Sequence, residues 1–575
     1  MQATPKQANP NTPLAGEDSS CQTAHSLAQI QAYHQRSKHK LERYAAGPDT
    51  LDWDAQPNPF REFSATPRIQ LDLFADQLTA SFDALNVPGT VVPQPITLNT
   101  VAALMELAFG LSAWKEYGPD RWAVRCNPSS GNLHPTEAYV ICRQIHGIED
   151  GVYHYLSRDH QLEQRCKFVA TTTGTPSRLL VGLSSIIWRE AWKYGERAFR
   201  YCQLDTGHAI AALRYAAATL GWSLHIEDSC SQQQIAQWLG LDRNADFTGA
   251  EREEAELLME ITTGQTANAA TLSNMLKADQ TQWYGRANIL DAHPMYHWPV
   301  IDEVTQASRK PFSPPATVRP TDNWPAPKRD GAAIHNATLH DVAKAATLIR
   351  QRRSAQRFDA KFTQDAASFY RMLDALLPRH TVPWDVWHKP ARVHPVLFVH
   401  RVAGLEPGIY ALPRNHAAQL QMQTAMSRDF VWTKPADCPG HLPLFRLAET
   451  NLTKTAKTMN CHQAIAGDSN FTLAMLAEFD APLQAAPWRY RQLFWEAGLL
   501  GQVLYLEAEA ARMRGTGIGC YFDDVCHELL GLQGTIFQSL YHFTVGYPLT
   551  DERIANLPPY LSSPANSSNL KRASP

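Results

Sequence analysis

Two long stretches of the chain are apolar around nearly the whole circumference of a helix. They are AIAALRYAAATLGW at 209–222 and LGQVLYLEAEAARMRG at 500–515. This pattern is typical of a helix that is buried on all sides. The segments ITLNTVAALMELAFG at 96–110 and FTQDAASFYRMLDALL at 362–377 instead predict amphipathic helices. We therefore expect one central and one flanking helix on each side of the middle of the chain.

Shorter apolar runs predict strands in the same two regions. GVYHY at 151–155 is followed by HQL at 160–162, and GIYAL at 408–412 runs on to His416. Both pairs predict a strand, a turn and the start of another strand. Together with the helices they predict an α+β class, in which each half has a mixed sheet flanked by helices.

The elements recur in the same order on both sides of a proline-rich segment at 303–335, which we interpret as a linker. We predict one domain at 26–302 and a second at 336–560, with disordered tails at 1–25 and 561–575. Duplication of an α+β unit suggests that a two-fold homodimer interface has become intramolecular, giving a pseudodimer within one chain.

Composition excludes several classes of protein. With 44% hydrophobic and 19% charged residues, 575 residues supply ample apolar material for packed cores. The net charge of −3 and the scattered Lys and Arg give no basic stripe, so we expect no nucleic acid partner. The ten cysteines show no C-x-x-C spacing and are expected to be reduced thiols. Since no signal peptide or membrane-spanning run is present, we expect a cytoplasmic protein without a membrane partner.

Two polar segments carry the candidate chemistry. RCNPSSGNLHP at 125–135 forms a rigid loop whose hydroxyl, amide and backbone N–H groups can converge on a flat polar ligand. RRSAQRF at 352–358 supplies guanidinium groups that pair bidentately with phosphate oxygens. The alternatives are a surface turn for the first segment and a solvated charge run at a helix end for the second.

Taken together, these strings point to one family. RCNPSSGNLHPTEAYV resembles the flavin-contacting PS-x-G/N-x-x-P signature of the nitroreductase superfamily in its SagB-type dehydrogenase form, and RRSAQRF resembles the superfamily's phosphate-binding R-x-S-x-R-x-F. The resemblance implies one FMN between two nitroreductase-like halves, with its phosphate held by one half and its ring by the other. It also implies that the segment at 515–520 approaches the flavin N5 edge. Arg553 is implied to add a phosphate contact; the alternative for Arg553 is an ion pair with Asp551 or Glu552. The implied FMN contacts are Arg125, Pro128, Ser129, Ser130, Asn132, Arg352, Arg353, Ser354, Arg357, Gly519, Cys520 and Arg553.

Departures from the family pattern predict that only one of the two symmetric sites works. Near 59–64 only Arg61 and Phe63 remain of a phosphate-binding segment. The segment at 384–389 has nothing like the PS loop, and the segment at 224–228, the counterpart of the glycine-rich one, has lost its glycines.

Lys193 and Tyr194 are the candidate catalytic residues. They lie in WKYGERAFRY, which resembles the K-Y-G-x-R-x-[FY]-R segment of azoline-oxidising dehydrogenases, where this pair is placed beside the flavin. A partly desolvated lysine has a lowered pKa and can accept a proton, with the tyrosine as relay. The alternative is an aromatic helix edge with ordinary salt bridges. In the second half Arg489 takes the lysine's place, and a guanidinium cannot act as a base.

These observations predict an FMN-dependent oxidoreductase that exchanges hydride between flavin N5 and a small-molecule or peptide substrate, with azoline oxidation as the family precedent. We expect O₂ or NAD(P)H as redox partner, a monomer, and no metal, because His527 lacks the second histidine of H-E-x-x-H. The alternatives are an NAD(P)H-dependent nitro- or quinone reductase and a non-catalytic partner of a peptide-modifying complex.

Overall fold

A computed structural model describes residues 17–168, 177–264, 281–313 and 343–560. The helices are α1 Glu17–Arg36, α2 Leu98–Phe109, α3 Ile187–Tyr194, α4 Ala198–Thr219, α5 Gln232–Leu239, α6 Pro299–Ala307, α7 Ala345–Gln351, α8 Ala366–Ala375, α9 His416–Ala425, α10 Thr453–Met459, α11 Ala464–Asp468, α12 Asp480–Ala485, α13 Arg489–Ala510 and α14 Asp523–Leu530. The strands are β1 Phe63–Ser64, β2 Arg68–Gln70, β3 Leu111–Tyr117, β4 Asp120–Arg125, β5 Thr136–Arg143, β6 Gly151–Leu156, β7 Gln161–Phe168, β8 Arg178–Ser185, β9 Ser223–Ile226, β10 Glu254–Thr262, β11 Thr281–Trp283, β12 Arg286–Ala287, β13 Val393–Val399, β14 Gly408–Ala411, β15 Phe445–Glu449, β16 Phe471–Glu478, β17 Arg514–Ile518, β18 Phe537–Gly546 and β19 Ala555–Leu557.

Two large sheets share one strand order. The first runs β11-β7-β6-β5-β8-β10-β9, with β2 also paired to β7, and the second runs β15-β14-β13-β16-β18-β17. When β5–β10 of the first sheet and β13–β18 of the second are each numbered from one to six, both sets have the order third, second, first, fourth, sixth, fifth; β2 and β11 are additional strands of the first sheet. The α+β class is confirmed. The strand pairs described in both sheets are antiparallel. The expectation of mixed sheets was wrong in this respect. Neighbouring strands are joined either by short turns or by helical connections after which the chain runs in the opposite direction.

The two central helices cross at a pair of glycines. A Cβ atom on Gly207 of α4 would overlap the carbonyl of Trp495, and one on Gly498 of α13 would overlap the carbonyl of Leu204. Glycine is therefore required at both positions, because the helix backbones are in direct contact. The contact is reciprocal, as expected for an isologous interface.

Each end of the described chain pairs with the opposite half: the arm after α1 lies beside the second large sheet, and β19 completes a small three-stranded sheet with β3 and β4. His39, just after α1, forms a bridge to Phe522 beside the second sheet. At the other end β19 pairs with β3, and the Trp114 indole N–H donates to the carbonyl oxygen of Pro559 at 3.1 Å. The two halves are thus linked by strand and arm exchange as well as by the helix crossing.

Three sequence predictions need correction. Helix α1 begins at Glu17, so the N-terminal tail predicted to reach residue 25 is helical from that point. Helix α6 ends at Ala307, inside the predicted linker, because the first proline of that segment is Pro311. At His416 a helix replaces the predicted strand, since the Asn415 side chain caps it.

The rest of the predicted linker from 314 and the C-terminal tail lie outside the described residues. No helix in the described part of the chain is both long and apolar enough to cross a membrane.

Candidate active site

The loop between β4 and β5 is held by its own polar groups. The Ser129 hydroxyl oxygen accepts the His134 amide at 2.8 Å. Ser130 donates its amide and its hydroxyl to the Asp205 carboxylate at 3.1 and 3.0 Å. Asn132 donates its side-chain amide to the carbonyl oxygen of Ala123 at 2.9 Å. The predicted rigid loop is therefore present and is anchored to the central helix α4.

The two basic residues at the base of this loop bind backbone. Arg125 is buried and donates to the carbonyl oxygen of Pro59 at 2.6 Å. Arg352, from the second half, donates to the carbonyl oxygens of Arg125 and Cys126 at 3.0 and 3.2 Å. Pro128 is also buried. Arg352 therefore braces the loop of the opposite half through the backbone carbonyls of that loop.

Two buried carboxyl groups, which no sequence motif identified, lie close to the loop. Burial raises the pKa of Asp205 to about 7, against the opposing effect of its hydrogen bonds from Ser129 and Ser130. Burial also raises the pKa of Glu190 well above its usual range, and neighbouring Asp205 adds to this effect. Neither Glu190 oxygen has a hydrogen-bond partner among the described residues. Both groups can therefore carry a proton near neutral pH.

Lys193 and Tyr194 end helix α3, one turn beyond Glu190. The Lys193 ammonium lies 5.3 Å from the Trp53 ring centroid and 5.4 Å from that of Tyr194. Burial lowers the pKa of Lys193, and Glu190 acts in the opposite direction. The lysine is thus partly desolvated, as its proposed role as a proton acceptor requires.

Aromatic rings connect this pair to both polar segments. A Cβ atom on Gly131 would lie 2.5 Å from the Tyr194 hydroxyl oxygen, so Tyr194 lies directly against the loop. The Tyr194 and Tyr201 ring centroids are 4.6 Å apart. A Cβ atom on Gly519 would overlap the Tyr201 ring. The loop, the Lys-Tyr pair and the glycine-rich segment of the other half therefore meet at one place.

A second feature is a cationic pocket of about 320 Å³. Arg353 and Ser354 line it, together with Lys115 from β3 and Arg514 from β17. Burial lowers the pKa of Arg353 to about 10, and the neighbouring Arg352 contributes to the shift. Burial and the charge of Arg353 likewise lower the pKa of Lys115. Lys115 and Arg514 were missed because nothing in one sequence links β3 and β17 to the RRSAQRF segment.

Arg352 and two further predicted phosphate contacts lie outside the lining of this pocket. Arg357 is exposed. Arg553 has a side chain that is 71% exposed and pairs with Asp551 at 2.6 Å, which is the alternative given for it. An exposed ion pair two residues apart forms locally and needs no ligand.

Strand β17 connects the cationic pocket to the aromatic cluster. Its Gly515 carbonyl accepts the Ala355 amide at 3.1 Å, and the Thr516 hydroxyl donates to the Ala355 carbonyl at 2.7 Å. Arg514 lies at the pocket end, whereas Gly519 and Cys520 follow the other end. At about 3.3 Å per residue, the five steps from 514 to 519 span roughly 17 Å. Of the glycine-rich segment at 515–520, residues 515–518 belong to this strand, and 519–520 follow it outside regular secondary structure.

The symmetry-related site is filled by side chains of the protein. Arg61 donates to Glu253 at 3.0 Å, in a fully buried ion pair. Lys389 pairs with Asp228 at 2.6 Å, which joins the segment that lacks the PS loop to the residues that follow β9.

Glu496, at the position of α13 that corresponds to Asp205, accepts the Arg392 amide at 3.0 Å and is paired with the buried Arg414. In the symmetry-related site, the protein's own polar and charged groups therefore pair with one another.

Comparison with known proteins agrees with this geometry. The chain superposes on the crystal structure of a "putative nitroreductase" from Anabaena variabilis with a TM-score of 0.63 and 19% identity, covering 91% of this chain and 99% of that one. The fold is thus that of a nitroreductase. Residues 91–250 match the model of the Nitroreductase family.

Two curated proteins are also similar. "Putative nitroreductase MJ1384" of Methanocaldococcus jannaschii is 25% identical over 138 residues, or 22% of this chain and 66% of that protein. "Trifolitoxin-processing protein TfxB" of Rhizobium leguminosarum bv. trifolii is 26% identical over 223 residues, or 33% of this chain. The matched regions span 66% and 57% of the two relatives.

Proposed function

We propose that this chain is an FMN-dependent oxidoreductase of the SagB type, with one FMN held between two tandem nitroreductase-like halves. The observation that carries the proposal is the arrangement along β17. One end of the strand lies at a cationic pocket, and the other end meets the polar loop and the Lys193–Tyr194 pair of the opposite half. The symmetry-related position is filled by internal ion pairs.

The charges of the pocket fit a phosphate. Arg353 donates to three backbone carbonyls and, within the described ranges, pairs with no carboxylate. The three cations Lys115, Arg353 and Arg514 outnumber the two carboxylates of the lining. These are Glu509, which pairs with Arg514 at 3.9 Å, and Asp551, which pairs with Arg553. The excess positive charge would be neutralised by an anionic ligand. The three cations and Ser354 would hold the FMN phosphate, while the loop at 129–132 and Gly519 and Cys520 would hold the ring. When bound, the flavin supplies a centre that accepts or donates a hydride.

The residues near the loop provide the proton chemistry. Lys193, with its lowered pKa, accepts a proton from the substrate while the substrate is oxidised. Glu190 and Asp205 lie on the buried side of this lysine and can receive or return the proton, since burial raises both of their pKa values. The Tyr194 hydroxyl, beside Gly131, orients the substrate or relays the proton.

The substrate that we propose is a peptide, with oxidation of an azoline ring as the reaction and O₂ as the acceptor that reoxidises the flavin. NAD(P)H is already reduced and would serve only as the hydride donor of the opposite, reductive reaction. The support is the resemblance of WKYGERAFRY to azoline-oxidising dehydrogenases and the similarity to a protein named for toxin processing. The shared strand order and the reciprocal glycine contact support a tandem duplication, in which the second half supplies Arg353, Ser354 and Arg514 of the phosphate pocket and the first half supplies Lys115.

Flavin binding by an Arg353→Ala variant tests the proposal. Because a charge-assisted hydrogen bond contributes about 1.5–3 kcal/mol, FMN affinity should fall about tenfold or more. Riboflavin, which lacks the phosphate, should bind the variant and the wild type equally. Quenching of flavin fluorescence measures both constants, and Lys361→Ala, an exposed cation of the same half, is the matched control. Failure of the wild type to bind FMN, or equal loss of FMN and riboflavin affinity in the variant, would overturn the proposal.

A further inference from the structure

Two cysteines from distant parts of the chain meet at the end of β17. The Sγ atoms of Cys461 and Cys520 are 2.6 Å apart and share a hydrogen bond. A disulfide bond measures about 2.05 Å, so closure needs a movement of only about 0.5 Å. Cys520 directly follows Gly519, and Cys461 follows α10. The pair therefore lies beside the candidate site and comes from two separate elements.

The surroundings make the two thiols unequal. Contact with the Cys461 sulfur lowers the pKa of Cys520 to about 5, and His39 and Arg197 act in the same direction. The same contact raises the pKa of Cys461. Cys520 is thus the nucleophilic thiolate, and Cys461 is the resolving thiol beside it. Dithiol redox pairs divide these two roles in the same way.

The pair is accessible to small reagents. Both cysteines are partly exposed, whereas seven of the other eight are buried. The neighbouring His462 and Tyr44 are exposed as well. Since the oxidant needs to reach only Cys520, partial exposure is sufficient.

We propose that Cys461 and Cys520 form a reversible disulfide by exchange with a low-molecular-weight disulfide. The Cys520 thiolate attacks one sulfur of the reagent, which forms a mixed disulfide and releases one small thiolate. Cys461 then gives up its proton, and its sulfur attacks Cys520 and displaces the second small thiol. In sum, two protein thiols are oxidised to one disulfide and one small disulfide is reduced to two thiols. The step does not depend on a bound flavin.

The consequence is redox control of the site. In the oxidised state the Cys520 thiolate is lost from the loop that follows β17, and the loop becomes tethered to Cys461, two residues after the end of α10. Because Gly519 lies against Tyr201 and its carbonyl accepts from Arg197 at 3.1 Å, the tether acts on a residue of the candidate site itself.

The test uses the full chain and oxidised glutathione. After incubation, trapping with iodoacetamide and proteolysis without reduction, mass spectrometry should find the Cys461–Cys520 linked peptide in the wild type and, as a control, in Cys21→Ser. In Cys461→Ser, Cys520 should stop at the mixed disulfide with glutathione. In Cys520→Ser, Cys461 should remain unmodified.

Three results would overturn the proposal. They are the absence of the linked peptide in the wild type, glutathionylation of Cys461 in Cys520→Ser that equals that of Cys520 in Cys461→Ser, and alkylation of Cys520 by iodoacetamide no faster than that of exposed Cys21. Circular dichroism of the serine variants, which replace sulfur by oxygen, checks that each is folded.

Discussion

Asp205 shows how burial and hydrogen bonding compete at a single residue. Its carboxylate accepts two hydrogen bonds from Ser130, yet burial dominates and raises its pKa to about 7. In an unfolded chain an aspartate titrates at about 3.9. A carboxyl whose folded pKa is raised contributes stability that is fully present below the unfolded value and is lost as pH rises through the folded value. For Asp205 this window runs from about pH 4 to about pH 7.

We predict that Asp205→Asn removes this part of the pH dependence. Asparagine can still accept from Ser130 but does not titrate in this range. A difference of about three pKa units corresponds to about 4 kcal/mol. Urea unfolding of the cofactor-free protein should therefore show that the wild type loses about that much more stability than the variant between about pH 4 and pH 8. Asp429→Asn, at an exposed position, should follow the wild type. Parallel curves for the wild type and Asp205→Asn would show that Asp205 titrates normally.

A second prediction for a single residue concerns Lys193. Since its pKa is lowered, the neutral amine becomes available at a lower pH than for an ordinary lysine. Lys193→Ala should slow oxidation of a synthetic thiazoline-containing peptide about 100-fold or more, because general base catalysis contributes at least that factor. The wild-type rate should rise with pH as the amine loses its proton, and the residual rate of the variant should not. Stopped-flow measurement of flavin reduction gives both rates.

A second readout separates chemistry from structure in that experiment. Reoxidation of the chemically reduced flavoprotein by a soluble quinone needs no base, so it should stay within about twofold of wild type in Lys193→Ala. If the variant oxidised the peptide at the wild-type rate, the base would have to be another group.

At the scale of elements, the helices were the most predictable part of the fold. Helices α4 and α13 are apolar around nearly their whole circumference, and the structure buries both, although each begins several residues before the apolar stretch. These early starts could not be seen because buried Arg197, Arg200 and Arg491 interrupt the pattern. Each of these arginines is satisfied by a carboxylate from elsewhere in the chain.

Strand β17 could not be predicted from local sequence. Two glycines within four residues favour a turn. In the structure a Cβ atom on Gly515 would lie 2.5 Å from the Phe543 ring, and one on Gly517 would overlap the Tyr541 hydroxyl. The glycines leave room for aromatic rings of β18, so tertiary packing determines the conformation of the segment.

The candidate site, like the fold, could be predicted from the sequence only in part. The loop at 125–135, Arg353 and the Lys193–Tyr194 pair were found through short strings that resemble a known family. Lys115, Glu190 and Arg514 lie outside those strings and gain their roles only from burial and proximity. Such groups cannot be found from one sequence, because their partners are distant in the chain.

For the whole molecule, the halves are interlocked at three places. The central helices are in backbone contact at Gly207 and Gly498, the arm after α1 reaches Phe522, and β19 extends the small sheet at β3. The cationic pocket belongs to both halves, since Lys115 comes from the first and Arg353 and Arg514 from the second. A ligand that needs both this pocket and the loop at 129–132 needs both halves.

We therefore predict that flavin binding requires both halves of the chain. When the chain is divided after residue 313, the piece 1–313 should bind FMN at least about tenfold more weakly than the intact protein, because it lacks Arg353 and Arg514. Co-expression with the piece 314–575 should give a complex that copurifies and recovers FMN affinity, since the helix crossing and the exchanged strand hold the pieces together. Size-exclusion chromatography and fluorescence titration measure these outcomes. If 1–313 alone bound FMN as tightly as the intact chain, the phosphate would be held within the first half, and the assignment of the cationic pocket would be wrong.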